Sequence, residues 1–99
     1  RAIEVRADLF DYVVRLLGAT RRSPSLALGA SPRAGVMLVR AAKAKAAMAG
    51  RSFITPDDLK AVFLPALRHR VALDPAEEIG GGSTEAVLRG ILDTVEVPR

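Results

Sequence analysis

The sequence contains no cysteine, which excludes disulfide bonds and thiolate metal sites and fits a protein kept in a reducing compartment. It has a single histidine, His69, and no cluster of ligating side chains surrounds it, so we predict no metal site. Aromatic residues are scarce as well: the chain has three phenylalanines and one tyrosine, compared with seventeen alanines. The core must therefore come from closely packed helices that carry Leu, Val and Ile.

No apolar run approaches the roughly 20 residues needed to cross a bilayer, so we expect no membrane contact. The first five residues, RAIEV, show neither an initiator methionine nor the pattern of a signal peptide. We therefore expect a cytoplasmic protein whose residues 1–99 form one domain excised from a longer chain. Its length is near the lower end of the range that builds an independent core.

Hydrophobic periodicity predicts four helices with short connections, and hence a small all-α bundle. The first helix should cover residues 5–20 and end before Pro24, because the residue before a proline disfavours the helical region. The second should begin at Pro32, with Ser31 as its cap, and end at Gly50 in the left-handed conformation.

The second half of the chain supplies the other two helices. Thr55 should cap the third helix, and Pro65 should kink or split it because proline removes a backbone donor. Residues 74–82 predict a loop, and the last helix should begin near residue 83. Short extended pieces at residues 52–54 and 71–73 are expected to form at most a minimal two-stranded pairing.

Basic residues exceed acidic ones by 15 to 11, which gives a formal charge of +4. This balance suggests an anionic partner such as nucleic acid, an acidic protein surface or a nucleotide phosphate, although solubility alone also explains it. Arg33, Arg40 and Lys43 share one face of the second predicted helix, and Arg21 and Arg22 end the first. A charged helix face is often merely solvated, so both interpretations stay open.

Six segments carry a resemblance to a known family. They are DYVVRL at 11–16, ATR at 19–21, GASPRA at 29–34, GRSFITPDDLK at 50–60, LRHRV at 67–71 and ILDTVEVP at 91–98. In this order, and over nearly the whole chain, they resemble the helical lid domain of bacterial MoxR-family AAA+ ATPases.

The resemblance implies a lid that follows an α/β nucleotide-binding core in the same polypeptide, with ATP and Mg²⁺ bound by that parent protein and none expected on this fragment. It also implies a ring oligomer, usually a hexamer, with chaperone-like activity on partners that often contain von Willebrand factor A domains. The chain itself has no phosphate loop and no acidic pair that could hold magnesium, so we expect no ATP hydrolysis by these residues alone.

Within this resemblance, Arg33 matches the second-sensor arginine that reaches the γ-phosphate. A helix N-terminus favours an anion, and a guanidinium there can contact phosphate oxygens in a bidentate fork. Arg33 could act on the nucleotide of its own subunit or of a neighbour. Arg21, Arg22, Arg40 and Lys43 are candidates for contacts with the core domain or with neighbouring subunits.

Two other functions are compatible with the residues. A nucleic-acid-binding module could use residues 55–70 as a recognition helix, but Asp57 and Asp58 would oppose phosphate, so we do not expect nucleic acid as the partner. A plain interaction or oligomerisation domain would differ little physically from a lid, because a lid is itself an interaction surface.

Overall fold

Residues 2–98 are described by a computed structural model, in which five helices and one two-stranded sheet form the bundle. In chain order the elements are α1 (Ala7–Arg22), β1 (Leu26–Leu28), α2 (Pro32–Met48), α3 (Pro56–Leu67), β2 (Ala72–Leu73), α4 (Pro75–Ile79) and α5 (Thr84–Thr94). The predicted all-α bundle with a minimal strand pairing is confirmed, although it has one more short helix and a different pair of strands.

The core forms where α2 lies against α3 and α1. Ala34, Ala42 and Ala46 line the buried side of α2, where their small side chains let the neighbouring helices come close. At the crossing with α1, a Cβ atom on Gly35 would lie only 2.8 Å from Leu17 Cδ1. α2 is therefore the central helix of the bundle, and its small residues permit this close packing.

A capping box and an ion pair fix the start of α3. Asp58 N donates to Thr55 Oγ1 (3.2 Å), and Thr55 N donates to Asp58 Oδ2 (2.8 Å). Arg51 donates to both carboxylate oxygens of Asp58, each at 2.7 Å. These contacts, the hydrogen bonds from Arg51 foremost, lower the pKa of Asp58 from its usual 3.8 to about 2. The predicted threonine cap is confirmed.

The predicted pairing of residues 52–54 with residues 71–73 is wrong in its first partner. β2 lies antiparallel to β1 instead. Phe53 forms an isolated parallel bridge with Glu4, near the beginning of the chain. Partners of short strands are set by the packing of the helices between them, which the local sequence does not record.

This bridge also explains why α1 begins later than the predicted range 5–20. Glu4 N donates to Ser52 O (2.8 Å) and Ile54 N donates to Glu4 O (3.1 Å), which keeps the chain extended ahead of the helix. At the other end α1 continues to Arg22, since only the residue directly before the proline leaves the helical region.

Two further expectations are corrected in the second half of the chain. Pro65 does not split α3, which runs unbroken to Leu67, only two residues beyond the proline. The predicted loop at residues 74–82 contains α4, a helix of five residues. Asp74 caps it by accepting from Ala76 N (3.1 Å), and a proline occupies its first position.

The predicted ends at Gly50 and Ser83 are confirmed. Gly50 follows α2 with a φ of +77°, the left-handed conformation that favours glycine. Ser83 caps α5 by accepting a hydrogen bond from Ala86 N (3.1 Å). Between residues 2 and 98, no helix has both the length and the apolar character that a bilayer span requires.

Candidate functional site

Arg33 lies in the first turn of α2, the longest helix of the described chain, and its side chain is exposed. The helix begins with Ser31 in extended conformation and Pro32 at the first position, and its first turn contains no acidic residue. Ser31 occupies the predicted cap position, but its hydroxyl accepts no hydrogen bond from the helix. This end of α2 therefore combines a positive dipole potential with an exposed guanidinium, while Ala34 N already donates to Ser31 O (2.9 Å).

The segment that leads into α2 is held by the last turn of α1. The buried Thr20 hydroxyl donates to Leu17 O (2.6 Å) and accepts from Ala30 N (2.9 Å). Arg21 Nη1 donates to Ala30 O (2.9 Å), so both backbone groups of Ala30 are fixed by α1. A Cβ on Gly29 would lie 2.5 Å from the Arg21 Cα, which shows how closely the two backbones approach. We name this arrangement the Thr20–Ala30 clamp.

Sequence reasoning missed Thr20 as a residue that positions the start of α2. Its signal was a threonine in the last turn of a predicted helix, where the hydroxyl can reach a backbone carbonyl one turn earlier. That pattern does not reveal the second hydrogen bond, to a residue ten positions later. The structure thus gives Arg21, predicted as a contact residue, an internal partner.

Three of the five predicted basic residues meet around one groove. Arg21, Arg40 and Lys43 lie along a surface groove of about 540 Å³ between α1 and α2. Arg33 and Arg22 are exposed but do not line it. Arg33 thus lies at the start of α2, whereas Arg40 and Lys43 lie along the groove.

The walls of the groove are apolar, and sequence reasoning missed them. Phe10 and Val14 on α1 are 50% and 63% exposed, and Val36 on α2 is 54% exposed. Phe10 and Val14 fall outside the buried stripe of α1, which includes Leu9 and Leu16. That offset was the available signal, since apolar residues beside a complete buried stripe often mark an interaction surface.

Arg68 and His69 lie on a separate part of the surface. Arg68 lies 3.6 Å from Glu85, measured from Nη1 to Oε2, and both side chains are about half exposed. His69 lies beside them in a shallow surface depression. No group of three or more potential metal ligands occurs among the residues that the structure describes.

Comparison with known proteins agrees with this architecture. Residues 18–91 match the family model described as the AAA lid domain, and this range contains the Thr20–Ala30 clamp and Arg33. The fold and this match together identify the chain as the small helical domain of an AAA+ protein. The chain belongs to the AAA lid domain family, in its MoxR branch.

Individual relatives support the same assignment. The chain is 38% identical over 96 residues to YeaC of Bacillus subtilis (strain 168), covering 95% of this chain and 30% of that protein. It is 39% identical over 107 residues to Chaperone MoxR1 of Mycobacterium tuberculosis, covering 96% and 28%. It also matches the crystal structure of a protein assigned as an ATPase from Cytophaga hutchinsonii, with a TM-score of 0.90, 31% identity and coverage of 98% and 32%. The chain thus spans about a third of the length of these proteins.

Proposed function

We propose that this domain is the C-terminal lid of a MoxR-type AAA+ ATPase and that it senses the γ-phosphate of ATP through Arg33. The observation that carries the proposal is an exposed guanidinium at the N-terminus of a 17-residue helix, inside the range that matches the lid family. The ATP and Mg²⁺ would be bound by a separate core domain of the same parent protein, over which the lid closes.

The residues of this site are suited to a phosphate. The positive dipole end of α2 favours an anion. The Arg33 guanidinium can donate two parallel hydrogen bonds to phosphate oxygens. The Thr20–Ala30 clamp would hold the helix start in one position, so that the guanidinium is already oriented when the nucleotide arrives.

Bound nucleotide would supply the transferable phosphoryl group, and Mg²⁺ would neutralise part of its charge. Arg33 would add positive charge where negative charge accumulates during transfer and would distinguish ATP from ADP by the presence of the terminal phosphate. The described residues provide only this one group, so we expect hydrolysis to require the core.

The proposal extends to the assembly. A lid packs against its own core and, in AAA+ rings, lies near neighbouring subunits, so we propose Arg21, Arg22, Arg40 and Lys43 as contact residues. The ring would be a hexamer in the cytoplasm with chaperone-like remodelling activity, as the name Chaperone MoxR1 indicates for one relative. Proteins with von Willebrand factor A domains are the proposed partners.

The test uses the full-length ATPase that carries this lid. Arg33→Ala should lower turnover at saturating ATP by on the order of 10²-fold, as expected for one lost charge-stabilising donor. Arg33→Lys should recover part of the rate, because it keeps the charge but loses the planar fork. Arg89→Ala, which removes an exposed arginine from α5, is the matched control and should change nothing. Unchanged turnover and unchanged nucleotide affinity in Arg33→Ala would remove the proposal.

Mixed rings then show whether Arg33 acts on the nucleotide of its own subunit or on that of a neighbouring subunit. Arg33→Ala subunits are combined with subunits that lack the phosphate-binding lysine of the core but keep Arg33. If Arg33 acts on a neighbour's nucleotide, the mixture regains activity that neither variant has alone. If it acts within its own subunit, the mixture stays as inactive as its parts.

A further inference from the structure

The groove between α1 and α2 is lined mainly by apolar side chains, several of which are exposed. Phe10, Val14 and Val36 are each at least half exposed and line the same groove. Val13 and Leu17, which are almost fully buried, form its floor. A contiguous apolar surface with a polar rim is typical of a protein interaction site.

The rim is basic at both ends of the groove. Arg21 lies beside Ala30 at the start of α2, and a Cβ on Gly35 would contact Leu17, so α2 runs back along α1 in the opposite direction. Lys43, further along α2, therefore lies at the opposite end of the groove, as does Arg40.

No acidic side chain lines the groove. Pro32 and Lys43 both line it and are eleven residues apart on α2, which corresponds to about 16 Å along the helix axis, or three helical turns. The groove is thus apolar, about three helical turns long, and has a cationic side chain at each end.

We propose that this groove binds an amphipathic helix of another polypeptide chain, with an apolar ridge about three turns long and Asp or Glu residues at both ends. A groove between two antiparallel helices can bind the apolar ridge of a third helix. The cations at its ends pair with the acidic residues and fix the register of the bound helix. This inference rests on the contact role proposed for Arg21, Arg40 and Lys43, and it assigns their partner to a separate chain rather than to the core of the same polypeptide.

Charge decides between a separate partner and a second copy of this chain. A symmetric pair would place the same surface on both sides of the interface. Arg21, Arg40 and Lys43 would then face like charges with no acidic side chain in the groove to offset them. Cations at both ends also attract a freely diffusing acidic helix and so raise its association rate. A domain that is covalently joined to the lid does not need this attraction.

The probe is a pair of fluorescein-labelled synthetic helical peptides of 18 residues. Both carry leucines at successive three- and four-residue spacings, one with two glutamates at each end and the other with lysines there. Fluorescence anisotropy should show that the glutamate peptide binds this chain with a Kd on the order of 10–100 μM. The lysine peptide should bind at least about tenfold more weakly, and raising the salt concentration should reduce the difference.

Variants of this chain locate the binding. The double reversal Arg40→Glu with Lys43→Glu should weaken the glutamate peptide at least about tenfold and strengthen the lysine peptide. Val36→Ser should weaken both peptides, because it removes apolar wall from the groove. Lys45→Glu is the matched control, since it reverses an exposed charge on the same helix outside the groove. Thermal unfolding monitored by circular dichroism verifies that each variant folds.

Several results would overturn the proposal. One is equal affinity for the two peptides, and another is affinity for the glutamate peptide that is unchanged in the double reversal. A third is a dimer in analytical ultracentrifugation that dissociates in Val36→Ser, because the groove would then bind a second copy of this chain. Binding to phosphatidylserine vesicles with no peptide binding would assign the groove to a membrane. The Arg33 variants in the full-length ATPase are independent of all these outcomes, so the sensor role and the groove can fail separately.

Discussion

Tyr12 brings a phenolic hydroxyl into the apolar core of the bundle. The side chain is fully buried, and its Oη atom has no hydrogen-bond partner among residues 2–98. Burial is the main cause of the raised pKa of this phenol, although the Arg15 guanidinium, 5.6 Å from the ring centre, opposes the rise. A buried hydroxyl without a partner costs about 1–3 kcal/mol of desolvation.

Tyr12→Phe should therefore leave the free energy of unfolding unchanged or raise it by up to about 1 kcal/mol, because it removes the unsatisfied group and keeps the ring. Urea denaturation measures the change. Tyr12→Leu, which loses part of the ring's packing, should instead lower the stability by about 1–3 kcal/mol. A clear loss of stability in Tyr12→Phe would mean that the hydroxyl has a partner, such as a buried water.

Asp58 makes stability depend on pH. Its pKa falls from the usual 3.8 to about 2 in the folded chain, so the unfolded state binds the proton more readily. The stabilisation is fully present above pH 4 or so and is lost as the pH falls through about 2. Because Arg51 is partly exposed, solvent reduces its size to about 1–2 kcal/mol.

Asp58→Asn should remove this contribution near neutral pH and flatten the loss of stability between pH 4 and pH 2. Urea denaturation across that range measures both effects. Asp57→Asn is the matched control, because Asp57 lies in the same helical turn but is exposed. It should keep the wild-type pH dependence. An Asp58→Asn variant that still loses the same stability on acidification would place the titrating group elsewhere.

At the scale of elements, the Thr20–Ala30 clamp connects α1 to α2. Thr20→Val should lower the free energy of unfolding by about 1–3 kcal/mol, because it leaves the buried N–H of Ala30 without its acceptor. Thr20→Ser keeps the hydroxyl and should cost clearly less. In the full-length ATPase, Thr20→Val should also reduce turnover at 20 °C, where the lid remains folded. Equal stability for the two variants would show that the hydroxyl does not hold α2.

The elements predicted well are those with strong local signals. Thr55 with an acid three residues later, Gly50 after an alanine-rich helix and Ser83 before the last helix all mark ends that depend on adjacent residues. The partner of β2 was missed because it depends on how distant segments meet. Helix α4 was missed because it has only five residues and adjoins three consecutive glycines.

In the whole molecule, only part of the candidate site was predicted from the sequence. The resemblance selected Arg33, and the structure places it at an exposed helix start. Apolar residues beside the buried stripe of α1 were a signal for the groove, but its position depends on which faces of α1 and α2 stay uncovered once α3 and α5 have packed. Periodicity identifies the buried stripe of each helix, but not which apolar residues beside that stripe remain exposed.

The isolated chain should not hydrolyse ATP. It supplies one cation for a reaction that also needs a phosphate loop, a bound metal and a positioned nucleophile. Phosphate release in its presence should equal that of buffer containing ATP and Mg²⁺. Activity that stays with the purified chain and falls in Arg33→Ala would contradict this expectation.

The isolated chain should also bind duplex DNA only weakly, with the affinity of a general basic protein. The formal charge of +4 is small, and the exposed Asp57 at the start of α3 opposes phosphate. A titration at several salt concentrations measures this. Tight binding with a steep salt dependence would favour the nucleic-acid-binding function instead.

The parallel bridge at Glu4 has a mechanical consequence. Two backbone hydrogen bonds join the segment ahead of α1 directly to residues 52–54, the turn between α2 and α3. A torque applied at residue 4 therefore reaches the far end of α2 without passing along α1. Because α2 is a single stiff rod of 17 residues, that torque would also tilt its opposite tip, which carries Arg33.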